Sequence, residues 1–339
     1  MSGNGASEAR RALVTGGAGF IGSHLCELLL DDGWELFVLD DLSTGSAANV
    51  ARLRDRQGFH LVVESVLSRA VVSELVHRCD VVFHLAAAVG VRLIVEQPGR
   101  TLLTNVQGTE TVLEYCARFG KRVLVASSSE VYGDHREEKA LDEEARRIYG
   151  PTTSKRWAYA DTKAMDEFLA LALHAERGLD AVIARLFNTV GPRQSGQYGN
   201  VIPRFVAAAL AERPLEVHGD GTQTRCFCHV LDTVAALNGL MAEPATAGGV
   251  FNVGSTRRIR IVDLARLILE LTGSSSELVF VPYEQVYGQG IDEMFHRAPA
   301  IERIEAAVGW QPTRTLEQIV GDVVEYARAA DPALQPADL

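Results

Sequence analysis

The chain has 339 residues, 47% of them hydrophobic and 23% charged, with a formal net charge of −11. This is the composition of a globular protein large enough for two domains, or for one large α/β domain with an appendage. The negative balance excludes a general affinity for nucleic acid or anionic membranes, and no apolar run approaches the ~20 residues of a membrane span.

Met1 to Arg10 is polar and rich in Gly, Ser and Asn. It lacks the apolar core of a secretory signal and reads as a flexible tail. Arg11 to Thr15 is a short apolar strand, and Phe20 to Leu30 has helical periodicity. Trp34 to Leu39, Gly58 to Val63, Asp80 to Leu85, Arg122 to Ala126 and Ala181 to Leu186 read as five further strands. Helical stretches fall at about Ser68 to Arg78, Thr101 to Phe119 and Trp157 to Arg177. Strand and helix alternating in this way predict an α/β fold with a Rossmann-type, doubly wound parallel sheet over residues 11–187. Beyond Phe187 the pattern loosens, and residues 188–339 read as a smaller C-terminal α/β lobe, with some segments crossing back to the first. The charged run Asp134 to Arg147 reads as a solvated excursion.

The five cysteines, an odd and scattered set, read as reduced thiols in a cytoplasm. Cys226-Phe227-Cys228-His229 has two thiols on one strand face, but no second pair of ligands accompanies them, so no metal is expected.

Thr15-Gly16-Gly17-Ala18-Gly19-Phe20-Ile21-Gly22 joins the first strand to the first helix. Gly16, Gly19 and Gly22 allow a tight turn and close approach of a pyrophosphate, while the backbone N–H groups of Phe20, Ile21 and Gly22 open a helix N-terminus. Asp40 stands eighteen positions after Gly22, at the end of the second strand. Its carboxylate can accept from adenosine-ribose hydroxyls and, with Asp41, would repel the 2′-phosphate of NADP. NAD is therefore the expected cofactor.

Tyr159 and Lys163 are four residues apart and share one helix face. A free tyrosine is too weakly acidic to serve as a base at neutral pH. The Lys163 ammonium and a positive nicotinamide are expected to lower its proton affinity. The preceding strand ends in Ser127-Ser128-Ser129-Glu130, where such sheets hold ligands, so Ser127, Ser128 and Glu130 join Tyr159 and Lys163 as candidate catalytic residues.

With these motifs the chain resembles the extended short-chain dehydrogenase/reductase family of nucleotide-sugar epimerases and dehydratases. The resemblance runs from Thr15 to about Trp310. It includes His84-Leu85-Ala86-Ala87, Asn105, Ser127 to Gly133, Arg185-Leu186-Phe187-Asn188 and Gly191-Pro192-Arg193. It implies that Leu85, Ala86 and Ala87 touch the cofactor, with Asn105 supporting it or the helix nearby. It implies that Ser129, Asn188, Asn200 and Val201 contact a UDP-sugar, that Arg225 pairs with the diphosphate, and that Glu293 and Arg297 reach the nucleotide. It also implies a homodimer built on the helices of 101–119 and 157–177. Two departures stand out. Ser65-Val66 replaces the Asp and aliphatic residue that usually touch adenine, and Asp292-Glu293 inverts the usual acidic order.

Arg156-Trp157-x-Tyr159, Ser129 to Gly133 and Arg225-Cys226-Phe227 resemble the enzymes that act on UDP-glucuronic acid. The stretch Gly150 to Trp157 resembles their 4-epimerases, with the decarboxylases and other nucleotide-sugar 4-epimerases as alternatives. Both reactions pass through a 4-keto sugar whose neighbouring carboxylate makes it a β-keto acid. An epimerase must restrain that carboxylate, and Ser127, Ser128, Thr189 and Arg193 are the candidates. A non-catalytic NAD-binding sensor is the reading from a different class, and the Tyr159/Lys163 pair argues against it.

Overall fold

The computed structural model describes residues 10–88, 98–154, 157–196, 200–282, 285–286 and 296–329. Its frame is β1 (Arg11–Thr15), α1 (Phe20–Asp31), β2 (Glu35–Asp40), β3 (Phe59–Val63), α2 (Arg69–Arg78), β4 (Val81–His84), α3 (Pro98–Phe119), β5 (Arg122–Ser128), α4 (Ala158–Arg177) and β6 (Ala181–Leu186). The strands lie parallel in the spatial order β3-β2-β1-β4-β5-β6, joined at the β6 edge by β11 (Val250–Val253).

Both faces of this sheet are covered, which is why its strands are continuous apolar runs rather than alternating ones. Ala12 and Val14 pack in one layer with Leu25 and Leu29 of α1, while Leu13 packs in the other with Val72, Val112 and Leu113. β1 has β2 on one side and β4 on the other, so the chain reverses its winding there. That reversal opens a crevice at the carboxyl ends of β1 and β4.

The rest of the chain comprises β7 (Thr189–Val190), α5 (Val201–Leu210), β8 (Leu215–His218), β9 (Thr224–Cys226), β10 (Cys228–His229), α6 (Val230–Ala242), β12 (Arg258–Arg260), α7 (Ile261–Thr272), β13 (Leu278–Val281), β14 (His296–Arg297), α8 (Glu302–Val308) and α9 (Leu316–Ala329). Val190, Phe205, Leu215, Ile268 and Val320 belong to a separate core that forms the smaller lobe. The crossing back is extensive. Val234 and Leu237 of α6, Phe251 of β11 and Ile304 of α8 all join the core that contains α1. Residue 187 is therefore where the chain first leaves the large lobe, not a clean division.

Two boundaries shift for local reasons. α3 begins at Pro98 rather than Thr101, because proline lacks the N–H that a first helical position leaves unused. β5 runs to Ser128, two residues beyond the apolar run. The excursion over 134–147 is not simply solvated. Leu141 and Glu143 are buried, and the Glu143 carboxylate accepts from Asn252 N at 2.8 Å.

Candidate active site

The glycine turn carries the geometry a dinucleotide needs. Gly16 adopts φ +72°, and a Cβ there would stand 2.7 Å from Ala86 N. A Cβ on Gly22 would overlap the Gly16 carbonyl oxygen. Gly19 caps α1 without a side-chain hydrogen bond, leaving the first-turn N–H groups to a ligand. At the end of β2 the Asp40 carboxylate accepts from Ala18 N at 2.9 Å and Leu42 N at 2.8 Å. With a third backbone bond from Gly19, about one lone-pair position of the carboxylate remains for a ribose hydroxyl. Burial pushes the Asp40 carboxyl upward, against the pull of the backbone donors. Asp41 turns outward and accepts from Ser43 N. These residues fit NAD.

Ser65 lies at the end of β3, where its Oγ accepts from Leu67 N, and Val66 is buried beside Gly108. Asn105 clips the segment after β4: its Oδ1 accepts from Ala88 N at 2.7 Å, and its Nδ2 donates to Ala88 O at 3.2 Å. Leu85, Ala86 and Ala87 are thus held at the crevice mouth, with Ala86 N also donating to Thr15 Oγ1.

Tyr159 is buried at the start of α4 and hydrogen-bonded to Ser128. Burial pushes its phenol well above the usual value, Glu130 and Asp166 add to this, and the Ser128 bond opposes it. The expectation that Lys163 lowers this value is therefore corrected for the protein alone. The Lys163 Nζ donates to Asp166 Oδ2 at 3.1 Å, with both side chains buried.

Several other expected site residues have protein partners in this structure. Ser127 donates to the Glu167 carboxylate, which Arg185 holds through both oxygens. Ser127 and Ser128 thus both reach α4, the first at Glu167 and the second at Tyr159. Ser129 is buried in the turn beyond. Thr189 donates to Phe187 O at 3.2 Å and meets Thr233 Oγ1 at 3.1 Å. Arg193, at φ +69°, donates to both Glu27 oxygens and to His24 Nδ1, clamping its loop to α1. Arg297 pairs with Glu130 at 3.2 Å, beside Tyr159.

In the smaller lobe, Arg225 and Arg297 are register partners on β9 and β14, and Arg225 donates to Thr224 O. Asn188 donates to Cys226 O at 3.1 Å, tying β6 to this sheet. Asn200 precedes α5, which Val201 begins, and donates to Ser195 O. Glu293 and Arg156 lie outside the described residues. All five cysteines are buried, and among the described residues no group of three His, Cys, Asp or Glu side chains could hold a metal ion. No described helix is long and apolar enough to cross a membrane.

Sequence reasoning gave no role to a buried chain of polar groups here. His84 Nδ1 meets Thr15 Oγ1 at 2.8 Å, and its Nε2 meets Thr109 Oγ1 at 3.0 Å. Thr109 also hydrogen-bonds Asp166. Burial holds His84 down at about 3, so it is neutral.

Residues 12–254 match the model of the NAD dependent epimerase/dehydratase family. The chain is 39% identical over 320 residues to the UDP-N-acetyl-alpha-D-glucosaminuronate decarboxylase of Bacillus cytotoxicus, covering 94% of this chain and 98% of that protein. It is 35% identical to UDP-glucuronic acid decarboxylase 1 of Xenopus tropicalis, covering 95% and 73% respectively. The UDP-glucuronic acid 4-epimerase of Bacillus cereus, solved with UDP-glucuronic acid and NAD, superposes with a TM-score of 0.84. It is 28% identical, covering 93% of this chain and 98% of that one.

Proposed function

This chain belongs to the NAD-dependent epimerase/dehydratase family, and within it we propose that it oxidises carbon 4 of a UDP-hexuronic acid and releases the sugar carboxylate as carbon dioxide. The observation that carries the choice of outcome is the engagement of Ser127, Thr189 and Arg193 with protein partners. A 4-epimerase must keep the carboxylate of the 4-keto intermediate from leaving. Three of the four groups expected to hold it are turned elsewhere. The motif resemblance over Gly150 to Trp157 favours 4-epimerisation; the side-chain placement and the decarboxylase relatives favour loss of carbon dioxide.

NAD, held by the turn from Gly16 to Gly22 and by Asp40, supplies the hydride acceptor at carbon 4. Tyr159, as phenolate, takes the proton of the 4-hydroxyl, and the Ser128 hydroxyl steadies the oxygen as it becomes a ketone. The electron pair of the bond between carbon 5 and the carboxylate then moves toward that ketone as carbon dioxide departs. The protonated Tyr159 donates a hydrogen bond to the resulting enolate oxygen, and Ser128 a second. Carbon 5 takes a proton to give the 4-keto pentose; the pentose itself would form only when the bound dinucleotide returned the hydride to carbon 4 as Tyr159 gave its proton back to the oxygen. Arg225 and Arg297 are our candidates for the diphosphate and the carboxylate entering beside it, with Asn188, Asn200 and Val201 toward the uridine.

The test is incubation with NAD and, separately, UDP-glucuronic acid and UDP-N-acetylglucosaminuronic acid, with products identified by NMR. A UDP-pentose or its 4-keto form, with carbon dioxide evolved, is expected from at least one. UDP-galacturonic acid, or its acetamido analogue, with the carboxylate retained would overturn decarboxylation in favour of 4-epimerisation.

A further inference from the structure

Lys163 sits in a buried chain of polar groups that ends on a carboxylate. Ala86 N donates to Thr15 Oγ1, Thr15 meets His84 Nδ1, and His84 Nε2 meets Thr109 Oγ1. Thr109 in turn bonds Asp166, which also takes the Lys163 ammonium at 3.1 Å. One direction satisfies every member. Neutral His84 accepts at Nδ1 from Thr15 and donates from Nε2 to Thr109, and Thr109 donates its only hydroxyl proton to Asp166. Asp166 therefore closes the chain as an acceptor, in its ionised form.

Other charges face this group. Glu130, after β5, acts on Tyr159 and is paired with Arg297 of β14. Glu167 of α4 is paired with Arg185 of β6. His84 of β4 is neutral. Asp166 is thus the anion whose partner is the catalytic lysine.

We propose that Asp166 is a positioning residue for the reaction: it holds Lys163 along α4 and offsets the ammonium charge at Tyr159, so that the phenol becomes a base only when the dinucleotide is bound. This rests on Tyr159 being the base, and not on which product forms. The consequence is a molecule that keeps its base protonated while no cofactor is present to accept hydride.

The experiment is an ultraviolet titration of tyrosinate in the holoenzyme at saturating NAD, comparing wild type with Asp166→Asn. Each is corrected by its Tyr159→Phe counterpart, so that only this phenol is read. Removing a nearby negative charge disfavours the protonated phenol, so the midpoint should fall by about one pH unit. The acid limb of the kcat/KM profile should move down by the same amount, a tenfold gain on that limb. Asp166→Ser, which keeps a hydroxyl for Thr109, should move the midpoint in the same direction. A midpoint unchanged in both variants overturns the proposal. So does failure of both to fold, which would make Asp166 structural only. The titration uses no sugar, so a wrong substrate assignment would leave its result standing.

Discussion

Ser127 and Ser128 are neighbours on β5 and both hydroxyls turn to α4, yet to different residues: Ser127 donates to Glu167, and Ser128 bonds Tyr159. The two should therefore separate in a mutational test. Ser128→Ala removes a hydrogen bond to the developing charge at Tyr159, worth about 1.5–3 kcal/mol. kcat should fall roughly ten- to hundredfold with nucleotide-sugar affinity little changed. Ser127→Ala leaves Glu167 its three bonds from Arg185 and should cost about 1–3 kcal/mol of stability in urea, with kcat within about threefold of wild type. The reverse pattern would place the substrate at Ser127 instead.

Asp40 is the second point of control. Its carboxylate organises Ala18 N and Leu42 N as well as facing the ribose site, so Asp40→Ala would confound selectivity with loop disorder. Asp40→Asn keeps the shape and one acceptor while removing the charge. NAD affinity should fall about tenfold, as a charge-assisted bond weakens. NADP affinity should hold or rise. Isothermal titration of both cofactors measures the gap; equal affinities in the unmutated protein would contradict the role given to Asp40.

Much of this architecture is legible in the residues. The strands of the main sheet announce themselves because a strand covered on both faces is uniformly apolar, as Ala12-Leu13-Val14 is. The glycine turn and Asp40 are legible because their chemistry needs fixed spacing. The return of β11 is not, since four residues of Val-Phe-Asn-Val carry no period that distinguishes sheet edge from lobe. Side-chain direction is also hidden. Ser127 looks available until β5 is known to continue through it. Asp166, in a run of helical charges with Glu167, looks like a solvated face, but tertiary packing buries both.

The homodimer implied by the family resemblance would use α3 and α4, and can be tested there. Leu103 on α3 and Met165 and Phe168 on α4 are 58%, 53% and 59% exposed. Bulky apolar side chains gathered on two packed helices mark an interaction surface. Light scattering should find a dimer at micromolar concentration. Phe168→Glu should shift it to monomer, because a carboxylate there would be desolvated without a partner. A monomeric wild type would remove this surface from consideration.

Thr189 separates the two product outcomes most directly. If its hydroxyl restrained the substrate carboxylate, Thr189→Val would delete a hydrogen bond to an anion worth about 1.5–3 kcal/mol, and the product ratio would move toward the pentose roughly ten- to hundredfold. In this structure the hydroxyl donates to Phe187 O and meets Thr233 Oγ1, and the residue is buried. The expected result is therefore a ratio unchanged within about twofold and a stability loss of about 1 kcal/mol, the net worth of a neutral hydrogen bond. Arg193→Ala should behave alike for the same reason: its guanidinium is held by Glu27 and His24 on α1, so the variant loosens that helix and leaves the partition alone. Chromatography of the UDP-pentose and UDP-galacturonic acid peaks, wild type against each variant, reads both. A wild type that makes UDP-galacturonic acid, with a tenfold greater share of pentose in Thr189→Val, would mean that the hydroxyl leaves Thr233 for the substrate, and carboxylate restraint would return with it.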